Sequence, residues 1–143
     1  MKKIAIFLFV IIGVLSTISY IYLTNISNYN NTQKENIKFE KYIDKEITGT
    51  ELTSLINKAI DSNNQNQVKK DNKGKYLDNE SNSINIDIKF IDDDVTYNIE
   101  KIYDSGVNTF IIYYRDIKFK CMDVKYHSKT NKVKYMLFEQ ITQ

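Results

Sequence analysis

The apolar and polar positions of the chain divide it into stretches of different period. Ile4 to Leu23 (IAIFLFVIIGVLSTISYIYL) is continuously apolar and carries no charge, with Lys2 and Lys3 just before it. A helix of about twenty such residues matches the roughly 30 Å hydrocarbon layer of a bilayer, and β-branched residues and Gly13 are tolerated there. Thr24 to Glu35 (TNISNYNNTQKE) is polar and aperiodic. It reads either as a flexible spacer or as a polar continuation of the first helix. Ile37, Phe39, Tyr42, Ile43 and Ile47 return at mixed spacing, as in a short helix leading into a domain. Leu52, Leu55, Ile56, Ala59 and Ile60 then fall at i, i+3, i+4, i+7 and i+8, one stripe of an α-helix. Thr48 and Glu51 stand at capping-box spacing before it, so the pattern predicts a helix from Gly49 to Asp61, laid by its apolar stripe on a sheet.

Ser62 to Asn82 is rich in turn residues and predicts a long mobile loop, with Tyr76 and Leu77 as tethers. Beyond it the period becomes two. Ile84, Ile86, Ile88 and Phe90 alternate with polar residues, Asp92, Asp93 and Asp94 mark a turn, and Val95, Tyr97 and Ile99 alternate on the way back. That is a β-hairpin. Thr109 to Arg115, Lys118 to Tyr126 and Val133 to Phe138 read as three further strands, with an apolar phase slip between Cys121 and Val124 of the kind a bulge produces. The expected fold class is α+β: an N-terminal transmembrane helix, then a small domain with one amphipathic helix on an antiparallel meander of about five strands. The expected division is 1–23 anchor, 24–47 linker or helical extension, and 48–143 domain, since the residues beyond the span suffice for one small core and not two.

Flanking charge orients the span. Lys2 and Lys3 are the only cations before Lys34, so the N-terminus is expected in the cytoplasm and the domain outside. Tyr20 and Tyr22 suit the headgroup layer at the far end. A cleaved signal peptide is the alternative, with Ser16, Thr17 and Ser19 near a cut and a secreted domain as the product. Against it, no Ala-x-Ala site is present and apolar character resumes at Tyr20 to Leu23. Cys121 lies too far along for a lipoprotein, and the acidic residue of a prepilin signal is missing.

Composition narrows the partners. With Lys2 and Lys3 set aside, the remaining cations balance the 18 acidic residues, which gives no reason to expect nucleic acid. One cysteine allows no internal disulfide, so an external domain would depend on its apolar core. Absence of Pro and Trp, with heavy use of Asn, Lys, Ile and Tyr, suggests an AT-rich bacterial genome.

Few residues suggest chemistry. The Asp92–Asp94 run offers oxygens for Ca²⁺ but lacks the ligand spacing, glycine and distal glutamate of an EF-hand, and reads as a solvated turn. His127, the only histidine, would need Cys121 or a hydroxyl beside it to act as a base, whereas Cys121 reads as a small buried hydrophobe. No phosphate-binding loop, paired-cysteine motif, nucleophile elbow or zinc-protease helix occurs. No enzyme activity, metal or cofactor is therefore expected. Lys118, Lys120, Lys125, Lys132 and Lys134 form a cationic run in the last strands, which reads first as a solvated polar face that protects sheet edges and second as a face for an anionic envelope polymer or a partner.

The basic flank, apolar span and Ile47 to Leu52 (ITGTEL) opening of the first amphipathic helix resemble small single-pass extracytoplasmic proteins of AT-rich Gram-positive bacteria, some of them pilin-like. The resemblance implies an envelope module that binds another envelope protein, itself or an anionic polymer. A pilin-like or secretion-system subunit, a secreted factor and an envelope enzyme are the alternative functions.

Overall fold

A computed structural model describes residues 2–91 and 95–141. Two compact units divide the chain after Lys34.

The first element, α1 (Lys2–Glu40), is a helix with its apolar part at the N-terminal end. It is long and apolar enough to cross a membrane, and no residue of its most apolar window is buried. The hydroxyls of Ser16, Thr17 and Thr24 donate to the carbonyls of Ile12, Val14 and Tyr20 at 2.8–2.9 Å. Such back-bonding satisfies the hydroxyls within the helix itself. Of the two readings of residues 24–35, helical continuation is the one the structure adopts.

The second unit starts at Glu35, inside the stretch assigned from sequence to linker, because Asn36, Phe39, Tyr42 and Ile47 are buried in its core. Then follow β1 (Glu46–Thr48), α2 (Gly49–Gln65), β2 (Asn85–Lys89), β3 (Thr96–Asn98), α3 (Ile99–Asp104), α4 (Val107–Tyr114), β4 (Lys118–Tyr126) and β5 (Val133–Gln140). The class is α+β as expected. The capping box at Thr48 and Glu51 is present, and α2 runs one turn further than its stripe. The predicted hairpin forms with Ile88 opposite Tyr97, and the register of β4 against β5 shifts between Cys121 and Asp123, where the phase slip lies. The Asp92–Asp94 turn lies outside the described residues.

Three expectations need correction. The sheet is mixed, ordered β1-β4-β5-β2-β3, because β5 inserts between β4 and β2 and runs parallel to β2; it is not an antiparallel meander. Residues 109–114 lie in α4, with Arg115 as its C-cap, and not in a strand: Phe110 and Tyr114, four apart, turn onto Phe90 with ring centroids at 6.3 and 4.7 Å, the spacing of one helix face. The 62–82 loop is tied down by side chains. Asp71 Oδ1 accepts from the amides of Lys73 and Lys75, Asn79 Oδ1 from those of Ser81, Asn82 and Ser83, and Tyr76 is buried while Leu77 is exposed.

Cross-strand pairing gives the sheet an inner face of Ile47, Ile86, Ile88, Phe119, Cys121, Met136 and Phe138. Leu52, Leu55, Ile56 and Ala59 of α2 complete this core at zero exposure. Two buried asparagines join helix to sheet. Asn63 on α2 donates to the Ile84 carbonyl and accepts the Ile84 amide, both at 2.8 Å. Asn36 on α1 does the same to the Asn131 carbonyl and the Val133 amide, at 2.8 and 2.9 Å. Each amide side chain thus acts as one residue of an added strand, satisfying backbone groups that would otherwise be buried unpaired.

Candidate interaction surface

The lysines singled out by sequence do not form one face. Cross-strand registers put Lys118, Lys120 and Lys125 on the outer side of the sheet, opposite the helices. Acidic groups are interleaved among them. Lys118 pairs with Glu46 at 3.2 Å and Lys125 with Asp123 at 3.4 Å, while Lys120 stands in register between Glu46 and Glu139. Lys134 turns to Asp78, Lys129 pairs with Glu80, and Lys132 precedes β5 at the turn, beside Glu35 in a shallow hollow. These exposed pairs contribute little to stability, but they cancel the stripe as a source of positive field. Tyr135, also outward, donates to Asp87 Oδ2 at 3.1 Å, and burial followed by the Asp87 charge pushes its phenol up to about 12.

His127 is buried in the β4–β5 turn. Its Nε2 lies 2.7 Å from the Ser83 carbonyl, its backbone amide donates to the Lys132 carbonyl, and Nδ1 has no partner among the described residues. That arrangement latches the turn to the loop after α2. Nearby Asp78 is held below the usual carboxylate range: burial opposes this, but bonds from Lys134 and Ser83 outweigh it. Cys121 is buried, with Sγ 3.6 Å from the Asp123 carbonyl, and burial pushes its thiol up to about 11, away from nucleophilic character. No three metal-ligating side chains converge among the described residues.

The surface that sequence reading missed is formed by α3 and α4, which connect β3 to β4. Phe90, just past β2, is the hub of a ring cluster with Tyr97, Phe110, Tyr114 and Phe119 at centroid distances of 4.7–6.3 Å. α3 is capped by the Asn98 side chain, which accepts from the Lys101 amide at 3.0 Å, and Lys101 Nζ lies 3.9 Å from the Tyr97 ring centroid. Gly106, at φ 93, makes the turn into α4, a conformation glycine adopts without strain. α4 then uses Phe110 and Tyr114 inward and leaves Ile112 and Tyr113 76% and 73% exposed. Tyr103, Ile91 and Val95 are also exposed on the segment that surrounds them in sequence. Between α3, α4 and the ring cluster is a hollow of about 150 Å³ with Ser105 and Thr109 at its polar side. In comparison with known protein families, curated proteins and solved structures, nothing matches this chain. What its surfaces can do rests on their own chemistry: the α3–α4 face is a ring-lined hollow, with Lys101 in its lining, beside protruding Ile112 and Tyr113.

The place of α4 is set by α2. The first helical residue of α2, Gly49, has its Cα where any Cβ would lie 1.9 Å from the Tyr114 carbonyl oxygen. This closeness lets the Gly49 and Thr50 amides donate to the Ile117 and Arg115 carbonyls at 2.9 and 3.4 Å. Two of the amides that open at the start of α2 thereby meet carbonyls of the segment leaving α4.

Proposed function

We propose that the chain is a single-pass membrane protein whose domain, on the extracytoplasmic side, binds or assembles with another component of the cell envelope. The observation that carries this reading is the α3–α4 face, where Ile112 and Tyr113 stay exposed beside an apolar hollow on a domain that follows a span-length helix. A helix apolar on all sides needs cover, and a bilayer supplies it. Lys2 and Lys3 favour the N-terminus inside. An anionic polymer on Lys118, Lys120 and Lys125 has less support, because Glu46, Asp123 and Glu139 stand among them.

The test is to fractionate cells carrying a C-terminal tag, treat spheroplasts with protease from outside, and sequence the N-terminus. A membrane-bound, protease-accessible tag on an uncut chain is the expected result. A chain beginning near Tyr20 and recovered in the medium overturns anchoring and makes the product a secreted factor. A pilin-like or secretion-system subunit is the second reading, favoured by the unbroken run of α1 from Lys2 to Glu40. It requires recovery of the chain in sheared high-molecular-weight filaments.

A further inference from the structure

Tyr113 stands between two hollows. The ring-lined one holds about 150 Å³; the other, about 270 Å³, is bounded by Ile112, Arg115 and Asp116, and Tyr113 lines both. A ridge flanked by hollows is matched by the same surface turned through a two-fold axis, each ridge entering the other copy's hollow. Size agrees, since a cavity of roughly 150 Å³ takes a benzene-sized ring. The hydroxyl of an entering tyrosine would meet Ser105 and Thr109.

Charge permits the same occupant. Lys101 and Asp104 are exposed at the α3 end of the face, Arg115 and Asp116 at the far end of α4. Arg115 already pairs with Asp116 at 3.2 Å, so each end is close to neutral and antiparallel packing of two α4 helices brings the ends together without net repulsion. With one cation and one anion at each end, the face offers an anionic lipid or polymer no net attraction. α4 has eight residues and no side-chain N-cap, a length at which a helix depends on packing, and its outer side is uncovered.

We propose that this face is a two-fold interface between two copies of the chain, with Tyr113 of each seated in the ring-lined hollow of the other. The proposal rests on the assembly reading above. Anchoring both copies in one bilayer raises their effective concentration, so an interface of modest area is sufficient.

The test uses the full chain in its membrane, with Tyr113 replaced by the photo-cross-linker p-benzoylphenylalanine and two tags distinguishing the copies. The expected adduct joins differently tagged copies and maps to residues 97–114 of the second. Ile112→Asp and Tyr113→Asp, at exposed positions, should each weaken dimerisation in detergent micelles at least tenfold with circular dichroism unchanged. Asp104→Lys and Arg115→Glu should each weaken it, and their combination in one chain should restore it. Adducts between copies that map elsewhere, or failure of the charge exchange to rescue, overturn the interface and leave assembly standing. Adducts only to a different protein overturn self-association and leave the binding reading. No adduct from position 113 or from any other exposed site of the domain overturns both.

Discussion

Gly49→Ala should be the most damaging single-methyl change in the domain. The added Cβ would lie 1.9 Å from the Tyr114 carbonyl oxygen and 2.6 Å from its carbon, both backbone atoms with no flexible end to swing away. Restoring a close C···O contact of about 3.3 Å requires α2 and α4 to part by roughly 1.4 Å. That movement stretches the Gly49–Ile117 and Thr50–Arg115 hydrogen bonds. Overpacking costs about 1–3 kcal/mol and each lost bond about 1, while alanine's helix preference and its stiffer unfolded chain return about 1. The net loss is about 3 kcal/mol, a large part of the 5–15 kcal/mol typical of a whole domain. For a domain of this size it corresponds to a fall in Tm on the order of 10–20 °C. Thermal unfolding of the full chain in detergent micelles, followed by near-ultraviolet circular dichroism, measures it. Gly13→Ala is the control, since nothing lies within 4 Å of the added methyl, and the domain should melt unchanged. A Gly49→Ala protein as stable as the parent, or more so as helix propensity alone predicts, would refute the close approach of α2 and α4.

Two further changes test the buried amides and the outer sheet face. Asn63→Leu keeps the volume but leaves the Ile84 amide and carbonyl buried without partners, and should lower stability by about 3 kcal/mol in urea unfolding; a loss below about 1 kcal/mol would mean other groups replace the amide. Tyr135, with its phenol raised to about 12, supplies stability that is full below the ordinary tyrosine range near 10 and disappears as pH climbs through about 12. Tyr135→Phe should therefore flatten the fall in Tm across that alkaline window, and an unchanged slope would remove Tyr135 as a contributor.

The parts of the fold legible in the sequence are those whose determinants are local. The α2 stripe, its capping box, the β2–β3 alternation and the β4 bulge each appear within about sixteen residues of sequence. α4 was not legible because Thr109 to Tyr114 is β-branched and aromatic throughout, and what makes it helical is distant: Phe90 receives Phe110 and Tyr114, and Gly49 admits the Tyr114 carbonyl. The parallel pairing of β5 with β2 is equally non-local, as period-two patterning marks a face and not a neighbour. Among site residues, Lys118, Lys120 and Lys125 were legible as a row on one strand; their interleaved acids come from β1, the bulge and β5. The α3–α4 face escaped because its exposed residues, Ile112 and Tyr113, carry the strand-like composition that concealed the helix.

The Asn36 clamp also gives the domain a defined point of mechanical loading. Tension reaching the last turns of α1 runs along the backbone through residues 41–45 into β1, and the Asn36 amide, bonded to the Asn131 carbonyl and the Val133 amide, adds a second path to the start of β5. β5 is bonded along both sides, to β4 and to β2. Force entering there shears two hydrogen-bonded ladders at once, whereas a pull on β1 or β3, three residues each at the borders of the sheet, would peel bonds one by one. The Asn36 amide thereby shares with β5 a load that the backbone would otherwise bring to β1 alone.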